Sequence, residues 1–244
     1  MSPPVKWRDL RRFTDARVAL GRVGNALPTA AHLDFQEAHA RARDAVWSRL
    51  DMTQLEAALA PLGLPLQRVT SQAEERRRYL LRPDLGRKLA EDSTLPQAKG
   101  SIALVVADGL CARGVQQQAP ALLAALVPAL SKAGFAPSPI IMAEQARVAL
   151  GDDIAEAMQA AAVVMLIGER PGLSATDSMG LYITWAARRG RNDAMRNCIS
   201  NIRPGGLSAD FAAAKALWLL AEARKLGATG VALKDEMPSH YRLT

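Results

Sequence analysis

Ser101-Ile102-Ala103-Leu104-Val105-Val106-Ala107-Asp108 is an unbroken apolar run that ends in a carboxylate. A run without polar alternation predicts a strand covered on both faces, as in a parallel sheet between helices. The pattern recurs. Pro139-Ile140-Ile141-Met142-Ala143-Glu144 and Ala162-Val163-Val164-Met165-Leu166-Ile167-Gly168-Glu169 read as two more strands, again ending in carboxylates. Leu181-Tyr182-Ile183-Thr184-Trp185 reads as a fourth. Helical segments separate them. One spans residues 115–133 and closes at Gly134, with Pro128 as a candidate kink. Another is capped by Asp152-Asp153 and runs to about residue 161, and a last one spans 208–226 before Gly227. This βαβαβ order predicts an α/β fold with a Rossmann-like, mostly parallel sheet.

The chain before that sheet reads as a basic, helical region. Residues 7–17 mix arginines with apolar residues, as in a short amphipathic arm, and the glycines and Pro28 between Gly21 and Thr29 interrupt it. A long helix is expected over 32–59, with Leu33, Ala40, Val46, Leu50 and Leu55 at roughly helical spacing, ended by Gly63 and Pro65. Residues 64–70 fit a short strand. Arg82-Pro83-Asp84-Leu85 has turn chemistry, and 95–100 reads as a linker. The expected division is a helical region over 1–97 and a Rossmann-like domain over 98–244.

The 244 residues give room for one sizeable domain plus an appendage. Aromatics make up only 5%, so the core must come from Ala, Leu, Val and Ile. No apolar run reaches 18 residues, which argues against a membrane span. The start, Met1-Ser2-Pro3-Pro4-Val5-Lys6-Trp7-Arg8, lacks the apolar core of a signal peptide, so a cytoplasmic protein is expected. Cys111 and Cys198 are far apart, and His32, His39 and His240 do not cluster, so free thiols and no dedicated metal site are expected. The net charge of +7 permits an anionic partner without choosing one. Arg76-Arg77-Arg78 follows Glu74-Glu75 and reads as solvated or partner-facing surface. Only Trp7, Phe13 and Tyr79 lie near Arg-rich stretches, too few for stacked bases, so no nucleic-acid partner is expected.

Ligands of open α/β sheets bind outside the carboxyl ends of the strands. Asp108 and Glu169, with the loops after them, are therefore candidates, while Glu144 reads as a polar strand end. Arg170-Pro171-Gly172-Leu173 and Arg203-Pro204-Gly205-Gly206 each fit a type II turn, either structural or shaping a ligand mouth. The Gly-x-Gly-x-x-Gly fingerprint, the phosphate-binding glycine loop and a Ser-His-Asp or Cys-His set are all missing, which disfavours nicotinamide enzymes, ATPases and triad hydrolases. Cys198 reads as a buried or ligand-packing thiol unless its surroundings lower its pKa.

Several of these segments together resemble the small (light) subunit of ethanolamine ammonia-lyase. The likeness begins at Ala16-Arg17-Val18-Ala19-Leu20-Gly21-Arg22 and Leu27-Pro28-Thr29. It continues through Phe35-Gln36, His39-Ala40-Arg41-Ala42-Arg43-Asp44-Ala45-Val46 and Arg82-Pro83-Asp84-Leu85-Gly86-Arg87. It then takes in Val106-Ala107-Asp108-Gly109-Leu110, Gly168-Glu169-Arg170-Pro171-Gly172-Leu173 and Cys198-Ile199-Ser200-Asn201-Ile202. The resemblance implies an adenosylcobalamin-dependent lyase that converts ethanolamine to acetaldehyde and ammonia by radical chemistry. It implies a hetero-oligomer, in which a large barrel subunit holds ethanolamine and the small subunit closes over the cobalamin at their interface. The chain alone would be inactive and carry no catalytic residue. Carried over by motif, the cobalamin-contacting positions are Val148, Glu169 and Cys198. Ala146 stands where the family usually has glycine. The absence of Asp-x-His-x-x-Gly implies a base-on cofactor. Some members carry a long N-terminal extension linked to bacterial microcompartments; only about 15 residues precede the first motif here, so a free cytoplasmic enzyme is the first expectation. The basic first part would dock on the large subunit, with Arg8, Arg11, Arg12, Arg41 and Arg43 as candidates. A stand-alone cobalamin-binding or carrier module is the alternative.

Overall fold

The computed structural model describes the backbone of residues 7–243 and the side chains of residues 9–243. Six strands form one sheet: β1 (Leu66–Thr70), β2 (Ile102–Ala107), β3 (Pro137–Glu144), β4 (Ala162–Gly168), β5 (Met179–Trp185) and β6 (Asn197–Ile202). Their order is β1-β3-β2-β4-β5-β6. The pairs β1–β3, β3–β2 and β2–β4 are parallel; β4–β5 and β5–β6 are antiparallel. The fold is thus α/β with a mostly parallel sheet, and β5 alone runs against the rest. β1 comes from the chain before residue 98, yet it pairs residue for residue with β3 from Leu66↔Ile140 to Thr70↔Glu144.

The helices are α1 (Thr29–Trp47), α2 (Met52–Leu59), α3 (Arg76–Leu81), α4 (Ala112–Lys132), α5 (Leu150–Ala157) and α6 (Ala209–Leu226). On one side of the sheet, Ile102, Leu104 and Val106 of β2 share a core with α2, α4 and α6. On the other, Ala103, Val105 and Ala107 share a core with Leu150, Ile154 and Ala155 of α5. Every residue of β2 and of β4 is buried, which is why neither run shows alternation. Among the described residues no helix is long and apolar enough to cross a membrane.

Several local expectations need correction. The helix expected over 32–59 is two. Its apolar spacing runs on, but Ser48 leaves helical geometry (ψ 150) and turns its hydroxyl to the carbonyl of Ala45 (2.6 Å), while Asp51 caps α2 by accepting from the backbone N–H of Gln54 (2.9 Å). Asp152 and Asp153 cap nothing. They lie in the first turn of α5, and both are buried against arginines: Asp152 meets Arg196 at 2.7 Å, and Asp153 meets Arg189 at 3.0 Å. The arginine run splits. Arg77 and Arg78 are exposed, but Arg76 is 2% exposed. β6 is an edge strand that the sequence reading missed.

Candidate crevice at the ends of β2 and β4

From β2 the chain crosses to β3 on one side and then, through α5, to β4 on the other. The connections diverge between β2 and β4, and in open α/β sheets that divergence leaves a crevice at the carboxyl ends. The two loops there interlock. The N–H of Leu110 donates to the carbonyl of Gly168 (2.9 Å). A Cβ on Gly109 (φ +55) would lie 2.2 Å from that same carbonyl oxygen, and one on Gly168 would lie 2.2 Å from the carbonyl oxygen of Cys111. Only glycine permits this approach.

Asp108 does not line the crevice, contrary to the sequence reading. Its carboxylate accepts from the backbone N–H groups of Gln145 (2.9 Å) and Ala146 (3.0 Å) and from Arg76 (3.2 Å), and it is 2% exposed. Arg76 in turn donates to the carbonyls of Gly109 (2.8 Å) and Val46 (2.8 Å). This buried pair therefore joins α1, α3, β2 and the loop after β3 beneath the crevice. Ala146, where the resemblance led to an expectation of glycine, is buried and not in the left-handed region; Gln145 beside it is (φ 53).

Above that foundation is a cavity of about 370 Å³. Leu110 and Ile167 are apolar parts of its lining, with Val148 and Arg147 from the loop after β3 and Glu169 and Tyr182 from the β4–β5 side. Glu169 is held in place. Its carboxylate accepts from the Ser178 hydroxyl and from the backbone N–H of Asn201, 3.2 Å from each oxygen. Gly180 on β5 leaves the space: a Cβ there would come within 3.0 Å of Glu169 Oε1. Asn201 adopts the left-handed conformation (φ 62), tolerated by asparagine. Its carbonyl accepts from Leu207 (2.8 Å) and its side-chain oxygen from Arg203 (2.7 Å). The turn Arg203-Pro204-Gly205-Gly206 thus braces the group that orients Glu169.

That turn is type II as expected, with Gly205 at φ +75 and the N–H of Gly206 donating to the Arg203 carbonyl (3.0 Å). Its counterpart is not. Gly172 stays out of the left-handed region, and its N–H donates forward to the Ala175 carbonyl (2.7 Å). Instead, Arg170 to Leu173 form one wall of a second cavity of about 570 Å³, which shares Leu110, Arg147 and Arg170 with the first. The opposite wall is α1, through His39, Arg43, Val46 and Trp47.

Val148 and Glu169 line the same cavity. Cys198 is exposed on β6, directly across from Tyr182 of β5. Burial raises the Tyr182 hydroxyl above its ordinary pKa, and the neighbouring Cys198 and Glu169 raise it further. Tyr182 therefore connects Cys198 to the cavity that Glu169 lines. Sequence reasoning missed Tyr182, Arg147 and Asn201. A tyrosine within an apolar strand and an arginine before Val148 carry no local signal; only strand pairing and loop closure aim them here. Among the described residues no group of three or more His, Cys, Asp and Glu side chains is placed to hold a metal ion.

Fold and crevice define an α/β protein of the class that receives ligands at a switch-point crevice, here a crevice open along one side. The comparisons make this particular. The family described as the ethanolamine ammonia-lyase light chain (EutC) matches residues 4–234. The ethanolamine ammonia-lyase small subunit of Pseudomonas syringae pv. tomato is 49% identical over 96% of this chain and 85% of its own length. That of Bradyrhizobium diazoefficiens is 51% identical over 93% and 90%, and that of Azotobacter vinelandii 50% over 94% and 88%. The chain belongs to the family of ethanolamine ammonia-lyase small subunits, and a small subunit implies a larger partner.

Proposed function

We propose that this chain is the small subunit of an adenosylcobalamin-dependent ethanolamine ammonia-lyase, and that its crevice forms one side of a cofactor site closed by the large subunit. The reaction converts ethanolamine to acetaldehyde and ammonia. When bound, the cofactor supplies radical chemistry through homolysis of its cobalt–carbon bond. This chain supplies position and cover.

The residues fit such a group. Leu110, Val148 and Ile167 offer an apolar floor for the edge of a macrocycle. The Glu169 carboxylate, oriented by Ser178 and Asn201, would accept hydrogen bonds from the cofactor's peripheral amides. Cys198, exposed on β6 across from Tyr182, would pack against the same group. Arg147, which lines both cavities, keeps a buried Nε without a hydrogen-bond partner among the described residues. The crevice is open on one side and small beside a corrinoid, whereas complete small-molecule sites bury most of their ligand. A second protein surface must complete it.

α1 supplies a docking face for that surface. It buries only Ala38 and Ala45, and leaves Leu33, Phe35 and Trp47 exposed. Of the arginines considered for docking, Arg11 is turned back onto the carbonyls of Val18 and Ala19 (2.9 Å each), and Arg41 pairs with Glu37 on its own helix. Arg43 lies 3.7 Å from Asp44 and lines the second cavity, and Arg12 is exposed. The Arg8 side chain lies outside the described residues.

The observation that carries this reading is the convergence of Val148, Glu169 and, through Tyr182, Cys198 on one switch-point crevice in a chain of this family. Ammonia release from ethanolamine with adenosylcobalamin, by this chain alone and with its cognate large subunit, tests it. Activity is expected only in the mixture. An inactive mixture that nevertheless forms the complex would remove the lyase assignment and leave a cobalamin carrier.

A further inference from the structure

We propose that Arg147 and Arg170 form an oxyanion subsite at the junction of the two cavities, built to hold a phosphodiester. The inference rests on the cofactor reading above and deepens it.

Both side chains line both cavities. The Arg147 guanidinium lies over the Tyr79 ring, 4.2 Å from its centroid, which fixes its plane. One of its nitrogens, Nη2, reaches the Tyr79 carbonyl at a long 3.4 Å, and Nε is buried without a hydrogen-bond partner among the described residues. A charged group left short of partners inside the protein is costly, and an anion at the guanidinium offsets that cost. Arg170 is exposed, with no hydrogen bond or ion pair among the described residues. The nearby carboxylates are engaged elsewhere: Asp108 by Arg76 and two amides, Glu169 by Ser178 and Asn201. Two guanidinium groups, one held flat by a ring, thus face one opening with no acid assigned to them. A planar guanidinium matches phosphate oxygens in a fork, with short charge-assisted hydrogen bonds. Cobalamin carries one peripheral anion, the phosphodiester that joins a corrin side chain to its nucleotide base. With Glu169 accepting from the amides and the two arginines donating to that phosphodiester, the crevice would set the cofactor's orientation as well as its place.

The test compares two probes on the assembled complex with the large subunit. Adenosylcobalamin has the phosphodiester; adenosylcobinamide has the same corrin and adenosyl group but lacks the phosphodiester together with its ribose and base, so the comparison reads the nucleotide loop and the phosphate titration isolates the anion. Equilibrium binding is read from the visible spectrum. Arg147→Gln and Arg170→Gln are each expected to weaken adenosylcobalamin binding about 10- to 100-fold and to leave adenosylcobinamide binding within about twofold, a difference too small to reflect a lost charged contact. Arg147→Lys, which keeps the charge but not the fork, should recover only part of the loss. Arg170 is exposed, so its variant remains informative if Arg147→Gln loosens the Tyr79 packing. Equal weakening of both probes, or of neither, overturns the subsite. Direct titration with inorganic phosphate separates the sources. Phosphate binding that depends on Arg147, with cobalamin affinity indifferent to it, would assign the arginines to a free anion and overturn the proposal. A wild-type complex that binds neither corrinoid would instead sink the cofactor reading itself.

Discussion

β4 and α1 use apolar residues in opposite ways. All seven residues of β4 are buried between helical layers. α1 is 19 residues long, buries two alanines, and leaves Phe35 40% and Trp47 51% exposed. The strand is held by its own chain. The helix has little of this chain to lie on, and helices gain most of their stability from packing of an apolar face. The sheet half is therefore a finished scaffold and the helical arm an unfinished one, with the crevice between them sharing walls from both.

The largest effect expected to sharpen that contrast is at the buried ion pair joining the two regions. Arg76→Ala leaves Asp108 buried without its counter-charge and should cost about 3–5 kcal/mol in urea unfolding. A loss below about 1 kcal/mol would mean that the pair does not hold the junction. Next comes the core of the sheet. Leu104→Ala should cost about 2–5 kcal/mol, whereas Phe35→Ala on α1 should change the stability of the isolated chain by no more than about 0.5 kcal/mol. Comparable losses at the two positions would break the distinction. Phe35→Ala and Trp47→Ala should instead show themselves in assembly, raising the dissociation constant for the large subunit about tenfold each, in the range of interface anchors. Unchanged assembly in both would move the docking surface off α1. Glu169→Gln should spare the fold and weaken adenosylcobalamin binding by the complex about tenfold, as for the loss of a charged hydrogen-bond partner.

The smallest effect concerns the two thiols. Cys111 is fully buried, its Sγ directed at the Thr176 carbonyl (3.0 Å), and burial raises its pKa. Cys198 is exposed at the sheet edge. A thiol reagent should label Cys198 first in the isolated chain, and the rate should fall when the large subunit and adenosylcobalamin are added. Labelling of Cys198 at the same rate in the full complex would place it outside the closed site.

Much of the scaffold was legible because its cause is local. The continuous apolar runs of β2 and β4 can be satisfied only by cover on both faces, and a carboxylate straight after β4 put Glu169 where such sheets receive ligands. Equally local signals misled where tertiary partners intervened. Asp108 had the same sequence context as Glu169, yet Arg76, about thirty residues upstream, takes its carboxylate into the core. Asp152 and Asp153 looked like caps and became partners of Arg196 and Arg189. The helical spacing of 32–59 ran across a break that Ser48 and Asp51 make with their own backbone.

By itself the sequence determined the α/β class, the three parallel strands that build the switch point, and the family, because apolar periodicity and ordered motifs are properties of the chain alone. Only the tertiary structure decided that β5 runs backwards, that Asn197–Ile202 is a strand, that Asn201 holds Glu169, and that Arg147 and Tyr182 line the same cavity as Glu169. An edge strand with half of its residues exposed and its buried ones, Ile199 and Ile202, three apart has no period-two pattern to read. Its pairing with β5, Gly180's missing side chain and the left-handed turn at Asn201 exist only once distant segments share one sheet.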